Sequence, residues 1–265
     1  GDNRPMLPVI LVAAAVFLVL ERVLPDVALP YRRTWYPRAL LANLGQLGVV
    51  VLAGATWDHW FQSASLVSLA HLPHWIQGVF GYLLTTLIYY FWHRARHDVN
   101  TLWLTCHQFH HSPARIEVLT SFYKHPIELV INSLLSAAIS YLALGLSVEG
   151  AAWVTLLSAL GEFFYHMNVR TPRLLGYFFQ RPEMHRVHHQ LGRHYDNFSD
   201  LPLWDMLFGT FYNPDRYDGP CGFREPREQR VGAILRCENV NGPLPPASTW
   251  QHLKSPDRRP SETGP

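Results

Sequence analysis

Nine of the 15 histidines in this chain recur at spacings typical of metal ligands. In chain order they form a first box of the pattern His-x-x-x-His and a second and third box of the pattern His-x-x-His-His, with one single histidine between the second and third boxes. At about 3.6 residues per turn, positions i, i+3 and i+4 share one face of a helix, so each box should direct its imidazoles one way. Neutral imidazole is the commonest protein ligand for transition metals. The nine residues are His93, His97, His107, His110, His111, His166, His185, His188 and His189.

Nine imidazoles exceed what one metal ion can accept, since a single ion takes about four to six ligands, so the pattern predicts two ions. Structural zinc sites are usually closed, four-coordinate and cysteine-bearing. Magnesium and calcium prefer oxygen ligands. The histidines therefore indicate a catalytic dinuclear centre of transition metals, with positions left open for dioxygen or water.

The three cysteines, Cys106, Cys221 and Cys237, are an odd number without framework spacing. This usage predicts reduced thiols that face a cytosol. Cys106 lies beside the second box, but packing is its expected role, because isolated cysteines mostly behave as small buried hydrophobes.

The elements that must position the histidines are membrane helices. Charged residues make up only 16% of the chain, against about 25% in soluble domains. The deficit is concentrated in long uncharged runs, and a membrane span needs about 20 apolar residues. We therefore expect an all-α integral membrane protein with four to five transmembrane helices. The runs are Pro5 to Leu20, Ala39 to Trp57, Trp75 to Trp92, Leu129 to Val148 and Gly150 to Gly161.

The order of these runs brings all the motif histidines to one membrane face. His93 directly follows the third run, and the second box follows His97 too soon for the chain to have crossed lipid. The fourth run leads away from this face and the fifth returns to His166. Among the lysines and arginines, only Arg4 falls on the opposite side in this arrangement. By the positive-inside rule, the histidines belong to a cytoplasmic helical cap.

The motifs resemble those of the fatty acid hydroxylase and sterol desaturase superfamily. The similar segments occur in the family's order, from about Tyr89 to Tyr212. They are His93-Arg-Ala-Arg-His97, His107-Gln-Phe-His110-His111, Lys124-His125-Pro126-Ile127-Glu128, His185-Arg-Val-His188-His189, Asp196-Asn197-Phe198 and the stretch from Trp204 to Phe211. The resemblance implies a helical membrane enzyme with a non-haem di-iron centre. Such an enzyme uses O2 and two external electrons to hydroxylate or desaturate a lipid.

The resemblance also implies which side chains act as metal ligands and catalytic residues. These are the eight box histidines, while His166 matches an additional ligand of some members. Where certain members have another histidine four residues later, this chain has Arg170, which leaves one coordination position unassigned. A surface turn is the expected place of His194, with a tenth ligand as the alternative. Candidates for orienting the ligands are His125, Glu128, Glu162, Asp196 and Asp205.

These observations divide the chain into three predicted regions. Residues 1–74 should hold N-terminal transmembrane helices and loops, 75–212 the hydroxylase-like catalytic domain, and 213–265 a cytoplasmic C-terminal region. From Pro243 to Pro265 we expect disorder, because this segment has too little apolar surface to offset its ordering entropy. The first apolar run is interpreted as an anchor helix, since no convincing signal-peptide cleavage site follows it. The sequence has no recognised nucleic-acid-binding motif.

The leading hypothesis is a di-iron oxygenase that hydroxylates an acyl chain, a sterol-like substrate or a lipid headgroup. Its electrons should come from a separate ferredoxin, or from a cytochrome b5-like protein with its reductase. A lipid desaturase or an ether-lipid monooxygenase is the nearest alternative. A metal transporter or sensor is the alternative from another class, but transport needs ionisable ligands near mid-membrane, where the predicted spans have none. Zinc can replace iron in a purified preparation, because imidazole sites bind it more tightly than ferrous iron.

Overall fold

The computed structural model describes residues 6–224 and 227–241, and in these ranges the chain is almost entirely helical. The expectation of a helical protein is confirmed, since β-structure in the described ranges is limited to two isolated bridges. The α-helices are α1 (Met6–Val23), α2 (Trp35–Ala55), α3 (Trp57–Gln62), α4 (His74–Asp98), α5 (Asn100–Leu102), α6 (Gln108–His111), α7 (Pro126–Ala137), α8 (Val148–His166), α9 (Pro182–His188), α10 (Pro202–Phe208) and α11 (Val231–Leu235). Two π-helical stretches, Trp103–His107 and Ala138–Ala143, precede α6 and extend α7. Three 3-10 turns span Val118–Thr120, Arg173–Tyr177 and Arg227–Gln229.

Three helices of the described chain are long and apolar enough to cross a membrane: α1, α2 and the continuous helix Pro126–Ala143. The chain is accordingly a membrane protein. The most apolar window of α1 has a mean hydropathy of 2.3 and is only 6% buried inside the protein, so its side chains are free to contact lipid. The helices α4 and α8 have 25 and 19 residues but do not meet the same criterion of composition. The expected fourth and fifth spans stay a prediction.

Two of the observed helices, α4 and α8, extend beyond the uncharged runs, so charged residues do not mark their ends. Helix α8 begins after Ser147, whose side chain accepts a hydrogen bond from the amide of Gly150, and it therefore includes the charged Glu149. Helix α4 continues past Trp92 to Asp98 and so carries the first histidine pair on its last turns.

Helices α4 and α8 form the close pair at the centre of the fold. Glycines allow this approach: a Cβ atom at Gly81 would lie 2.4 Å from Cγ2 of Val154, and one at Gly78 would lie 2.4 Å from Cβ of Trp153. Small residues at such a crossing let the helix backbones come close together in a membrane. The pair brings the end of α4, with its two histidines, next to the end of α8.

The end of α1 is joined to the histidine-bearing part of the chain. The buried carboxylate of Glu21 accepts hydrogen bonds from the amides of Val118 and Asn168 at 2.9 and 3.2 Å. Four residues earlier, the ring of Phe17 packs against Phe163 of α8, with centroids 6.1 Å apart. These contacts place the end of α1 level with the first residues beyond α8.

The described C-terminal segment packs against the second histidine box. Gln108 of α6 donates a hydrogen bond to the carbonyl of Glu238 at 2.9 Å and accepts one from the amide of Val240 at 3.1 Å. Ile234 and Val240 join a buried cluster with Trp35 and Trp103. The predicted disorder of 243–265 falls outside the described residues, as does Arg4.

Candidate metal centre

The nine motif histidines lie in two groups whose ring nitrogens are close enough to share metal ions. In each group, one ring nitrogen of every histidine lies within 4.8 Å of those of all the others. The first group contains His93, His97, His107, His111 and His188. The second group contains His110, His166, His185 and His189.

Each His-x-x-His-His box is divided between the two groups. In the second box the residues at i and i+4, His107 and His111, belong to the first group, while His110 at i+3 belongs to the second. In the third box the residues at i and i+4, His185 and His189, belong to the second group, while His188 at i+3 belongs to the first. The expectation that a box directs all its imidazoles one way therefore needs a correction. Positions i+3 and i+4 differ by about 100° around a helix axis, which is enough to aim neighbouring rings at different ions.

Five of the nine imidazoles are held through Nδ1. A carbonyl oxygen can only accept, so each ring that is bonded to a carbonyl carries its proton on Nδ1 and leaves the Nε2 lone pair free for a metal. Four acceptors are backbone carbonyls. The bonds run from His93 to Phe198 at 2.7 Å, from His110 to Tyr123 at 3.2 Å, from His166 to Glu162 at 2.8 Å, from His188 to Asp196 at 2.6 Å, and from His107 to the carboxylate of Glu128 at 3.3 Å.

Every histidine of the first group has a buried ring nitrogen without a hydrogen-bond partner in the described part of the chain. This nitrogen is Nε2 in His93, His107 and His188, while in His97 and His111 both ring nitrogens lack a partner. In the second group, Nε2 of His185 lies 3.0 Å from Nε2 of both His166 and His189. A buried polar atom without a partner costs about 1–3 kcal/mol. Converging lone pairs of this kind fit cations, one in each group.

Burial also sets the protonation state of these rings. It lowers the pKa of His107, His111 and His189 well below the usual value, with further lowering by Arg96 beside His107 and by neighbouring histidines beside the other two. For His188 burial lowers the pKa to about 3. The imidazoles are therefore neutral near pH 7, which is the form that binds metals.

Glu128 is a predicted orienting residue whose side chain contacts a motif histidine. Its carboxylate is fully buried, lies 3.3 Å from Nδ1 of His107 and forms an ion pair with Arg96. Arg96 itself lies inside the first box, one residue before His97, and its guanidinium is 3.1 Å from Nδ1 of His107. Sequence reasoning did not single out Arg96. Its signal was its position three residues after His93, on the ligand face of α4.

For two other predicted orienting residues, the main chain rather than the carboxylate lies nearest to a histidine. The carbonyl of Glu162 accepts from His166 at 2.8 Å, whereas its carboxylate oxygen is 3.5 Å from the same nitrogen and is paired with Lys124. The carbonyl of Asp196 accepts from His188, and its carboxylate pairs with Arg193.

Asp205 contacts no motif histidine. Its buried carboxylate accepts from the amides of Phe198 and Ser199 at 2.8 and 3.1 Å and from the hydroxyl of Thr210 at 2.7 Å. Because the carbonyl of Phe198 accepts from His93, Asp205 influences that ring only by fixing the loop between them.

His125 and His194 lie outside both groups. His125 is the N-cap of α7, where its Nδ1 accepts from the amide of Ile127 at 3.2 Å. His194 lies in an irregular segment, as expected of a turn, but its ring does not face solvent alone. It packs against Trp103 and His111, with ring centroids 5.0 Å apart in each case.

The sequence model of the fatty acid hydroxylase family matches residues 78–210, half of the chain. Ornithine lipid hydroxylase OlsE of Rhizobium tropici is 27% identical over 230 residues, which cover 78% of this chain and 67% of that protein. The sphingolipid C4-hydroxylase of Schizosaccharomyces pombe is 31% identical over 142 residues, covering 52% of this chain and 48% of that protein. Human alkylglycerol monooxygenase is 30% identical over 129 residues, covering 46% and 28%. No solved structure matches the chain.

The chain thus spans about two thirds of the first of these relatives and half or less of the other two. The relatives are hydroxylases and monooxygenases, which indicates an oxidoreductase. The match of the family model covers the first two histidine boxes, the single histidine and the third box. Together with the two histidine groups at the ends of its helices, this match shows that the chain belongs to the fatty acid hydroxylase family, within the fatty acid hydroxylase and sterol desaturase superfamily.

Proposed function

We propose that the chain is a membrane-bound non-haem di-iron oxygenase that hydroxylates a lipid with O2 and two electrons from an external donor. The observation that carries the proposal is the convergence of nine neutral imidazoles, eight of them on buried residues and that of His93 on a partly buried one, into two groups. The family match and the lipid hydroxylases among the relatives support the reaction class.

Two iron ions would be held, one by each histidine group. When bound and reduced, the iron pair supplies the oxidising power that protein side chains lack, by activating dioxygen. The nine motif histidines are then both ligands and catalytic residues. With five ligands in one group and four in the other, an open position would more readily be left in the second group. Arg170 stands in the sequence where some family members have a further histidine, but its side chain is exposed and supplies no ligand.

The protein's own contribution is to fix and shield these ligands. The bonds from Nδ1 to the carbonyls of Phe198, Asp196 and Glu162 set the tautomer and orientation of the rings before a metal arrives. The pair of Glu128 with Arg96 holds the ring of His107 in its orientation. Burial keeps bulk water away from the open position, which protects an oxidising site from side reactions.

The proposed substrate class is a membrane lipid that reaches the centre sideways from the bilayer. The relative with the longest match acts, by its name, on ornithine lipid, and the others on a sphingolipid and an alkylglycerol. A lipid with a polar headgroup is therefore the first substrate to try. The electron donor would be a ferredoxin, or a cytochrome b5-like protein with its reductase. The arginines of the α1–α2 connection support a cytoplasmic position for the centre and the C-terminus.

The test is turnover by the purified, iron-loaded protein with O2, a reducing system and extracted host lipids. Mass spectrometry should show a lipid that gains one oxygen atom, and His188→Ala should abolish this product. A product that instead loses two hydrogen atoms would identify a desaturase. A protein with two bound iron ions that leaves every lipid unchanged would contradict the proposal.

A further inference from the structure

An exposed apolar surface lies beside the histidine groups, on two short elements outside the three candidate spans. One element is the turn Arg173–Tyr177 with the two phenylalanines after it, and the other is α10. The exposed fractions reach 69% at Leu174, 61% at Phe178 and 66% at Leu207. A continuous apolar surface of this kind is unusual where a protein faces water. We call it the apolar shelf, formed by Leu174, Phe178, Phe179, Leu203, Met206 and Leu207.

Contacts with α4 show how deep the shelf lies. Trp204 of α10 donates its indole N–H to the hydroxyl of Thr86 at 2.9 Å, and Phe208 stacks on Tyr90 with centroids 5.1 Å apart. Thr86 precedes His93 by seven residues, which places it about 10 Å further along the helix from the metal ligands. Helix α10 therefore lies alongside the apolar part of α4 and not above its polar end.

Contacts of the other shelf element with α8, and of α8 with α1, also indicate that the shelf lies beside apolar helix segments. The ring of Phe179 packs against Phe164 of α8 with centroids 6.5 Å apart, and the neighbouring Phe163 packs against Phe17 of α1 at 6.1 Å. Phe17 lies six residues before the end of α1 at Val23, or about 9 Å inside that helix. Because α1 is a candidate membrane span, the shelf is level with a part of the chain that faces lipid.

The backbone of the irregular loop that leads into α10 forms hydrogen bonds with side chains of the protein, as is required of a loop at membrane depth. Hydrocarbon offers no hydrogen-bond partners, so such a backbone has to be satisfied within the protein. The amides of Phe198 and Ser199 both donate to the carboxylate of Asp205. The side-chain amide of Gln180 donates to the carbonyl of Asn197 at 2.6 Å.

We propose that the apolar shelf inserts into the leaflet on the side of the histidine groups and contacts lipid acyl chains directly. The shelf continues the lipid-facing surface of the neighbouring helices, which favours the bilayer over another protein as its partner. The exposed Arg170 and Arg173 precede the shelf in the chain, and Arg173 forms a surface ion pair with the exposed Asp215 at 3.1 Å. Their guanidinium groups can reach lipid phosphates at the water interface.

The test reads the surroundings of single side chains and does not depend on turnover, so it can fail while the proposed reaction stands. The fluorophore NBD is attached to cysteines placed at Leu207 and at Phe178, in full-length protein with Cys237→Ser, which leaves only the two buried native thiols. Val12→Cys in α1 is the lipid control, because this side chain is 64% exposed on a candidate span. Arg236→Cys is the aqueous control, with its side chain 67% exposed.

The labelled proteins are reconstituted in phosphatidylcholine vesicles that contain either a doxyl-labelled lipid or, outside, aqueous iodide. The labels at Leu207 and Phe178 should match the Val12 label, with emission shifted to the blue and quenching by the doxyl lipid about twofold or more above that of the Arg236 label. Quenching by iodide at the level of the Arg236 label would overturn the proposal. Protection from both quenchers would also overturn it, since another copy of the chain would then cover the shelf.

Discussion

The rings of His111 and His189 stack face to face, with centroids 4.1 Å apart and planes inclined by only 15°. Each is the last histidine of its box, and each belongs to a different histidine group. The stack therefore lies at the junction of the two groups. Here each box supplies one histidine, His110 or His188, to the group that holds the other two histidines of the other box. Ligands from the two boxes cannot be varied independently, because each box contributes to both groups.

Removing one histidine ligand should reduce iron binding mainly at the group to which that histidine belongs. His188→Ala takes one of five imidazoles from the first group, and we expect loss of at least half of the bound iron, with product formation below detection. Iron per chain is measured by inductively coupled plasma mass spectrometry. His71→Ala is the matched control, because His71 is exposed and far from both groups in sequence. Full iron content in His188→Ala would contradict its assignment as a ligand.

The carboxylate of Glu128 should tune the first group without binding metal itself. Glu128→Gln keeps the shape of the side chain but removes the charge that pairs with Arg96 and accepts from His107. We expect iron affinity to fall by about 10–100-fold, the usual effect of losing such a partner. Competition with a chelator measures the affinity. Glu238→Gln is the control, since its ion pair with Arg236 lies at the surface. Equal affinities in the two variants would show that Glu128 has no such role.

The metal-free protein should lose stability as the pH falls below the ordinary histidine pKa. Burial lowers the pKa of His188 from 6.5 to about 3 and that of His107, His111 and His189 in the same direction. Between these values the unfolded chain binds more protons than the folded one, so the free energy of unfolding decreases as the pH is lowered through this window.

Thermal unfolding of chelator-treated protein in detergent measures this effect. The Tm should be highest above pH 6.5 and should fall steadily toward pH 5. Bound iron should reduce the dependence, because the metal occupies the lone pairs that protons would take. A Tm that does not change across the same pH range would show that the metal-free rings are not buried as neutral groups.

The close pair of α4 and α8 should be sensitive to a single added methyl group. A Cβ at Gly81 would lie 2.4 Å from Cγ2 of Val154, so Gly81→Ala should destabilise the protein by about 1–3 kcal/mol, as overpacking does. Gly48→Ala in α2 is the matched control, because nothing lies within 4 Å of its added Cβ. That control should be neutral or stabilising, since alanine favours helix. Equal Tm values for the two variants would contradict the observed helix contact.

The sequence predicted the helical class, the membrane character and which histidines come together, because spacing and hydropathy are local properties of the chain. It did not predict that His110 and His188 each leave the rest of their box for the other group, because that depends on how α6 and α9 are rotated against each other. The hydrogen-bond acceptors of His93 and His188 were also missed. They are backbone carbonyls, which every residue has and which give no sequence signal.

Tertiary packing also explains the difference at His194. The residues around His194 in the chain are typical of a turn. They include Gly192, whose φ is +75°, and the charged Arg193 and Asp196. The ring nevertheless packs on Trp103, which lies far away in the sequence. The apolar shelf was also not predicted from the sequence. Helix α10 has only 7 residues, and the residue types alone do not distinguish so short an exposed apolar helix from a buried one.

The two histidine groups are proposed to hold a pair of iron ions. Mössbauer spectroscopy of protein reconstituted with enriched iron, combined with the iron content per chain, tests it directly. We expect two iron ions per chain, both in nitrogen-rich surroundings and magnetically coupled to each other when oxidised. A single uncoupled iron per chain at saturation would contradict it.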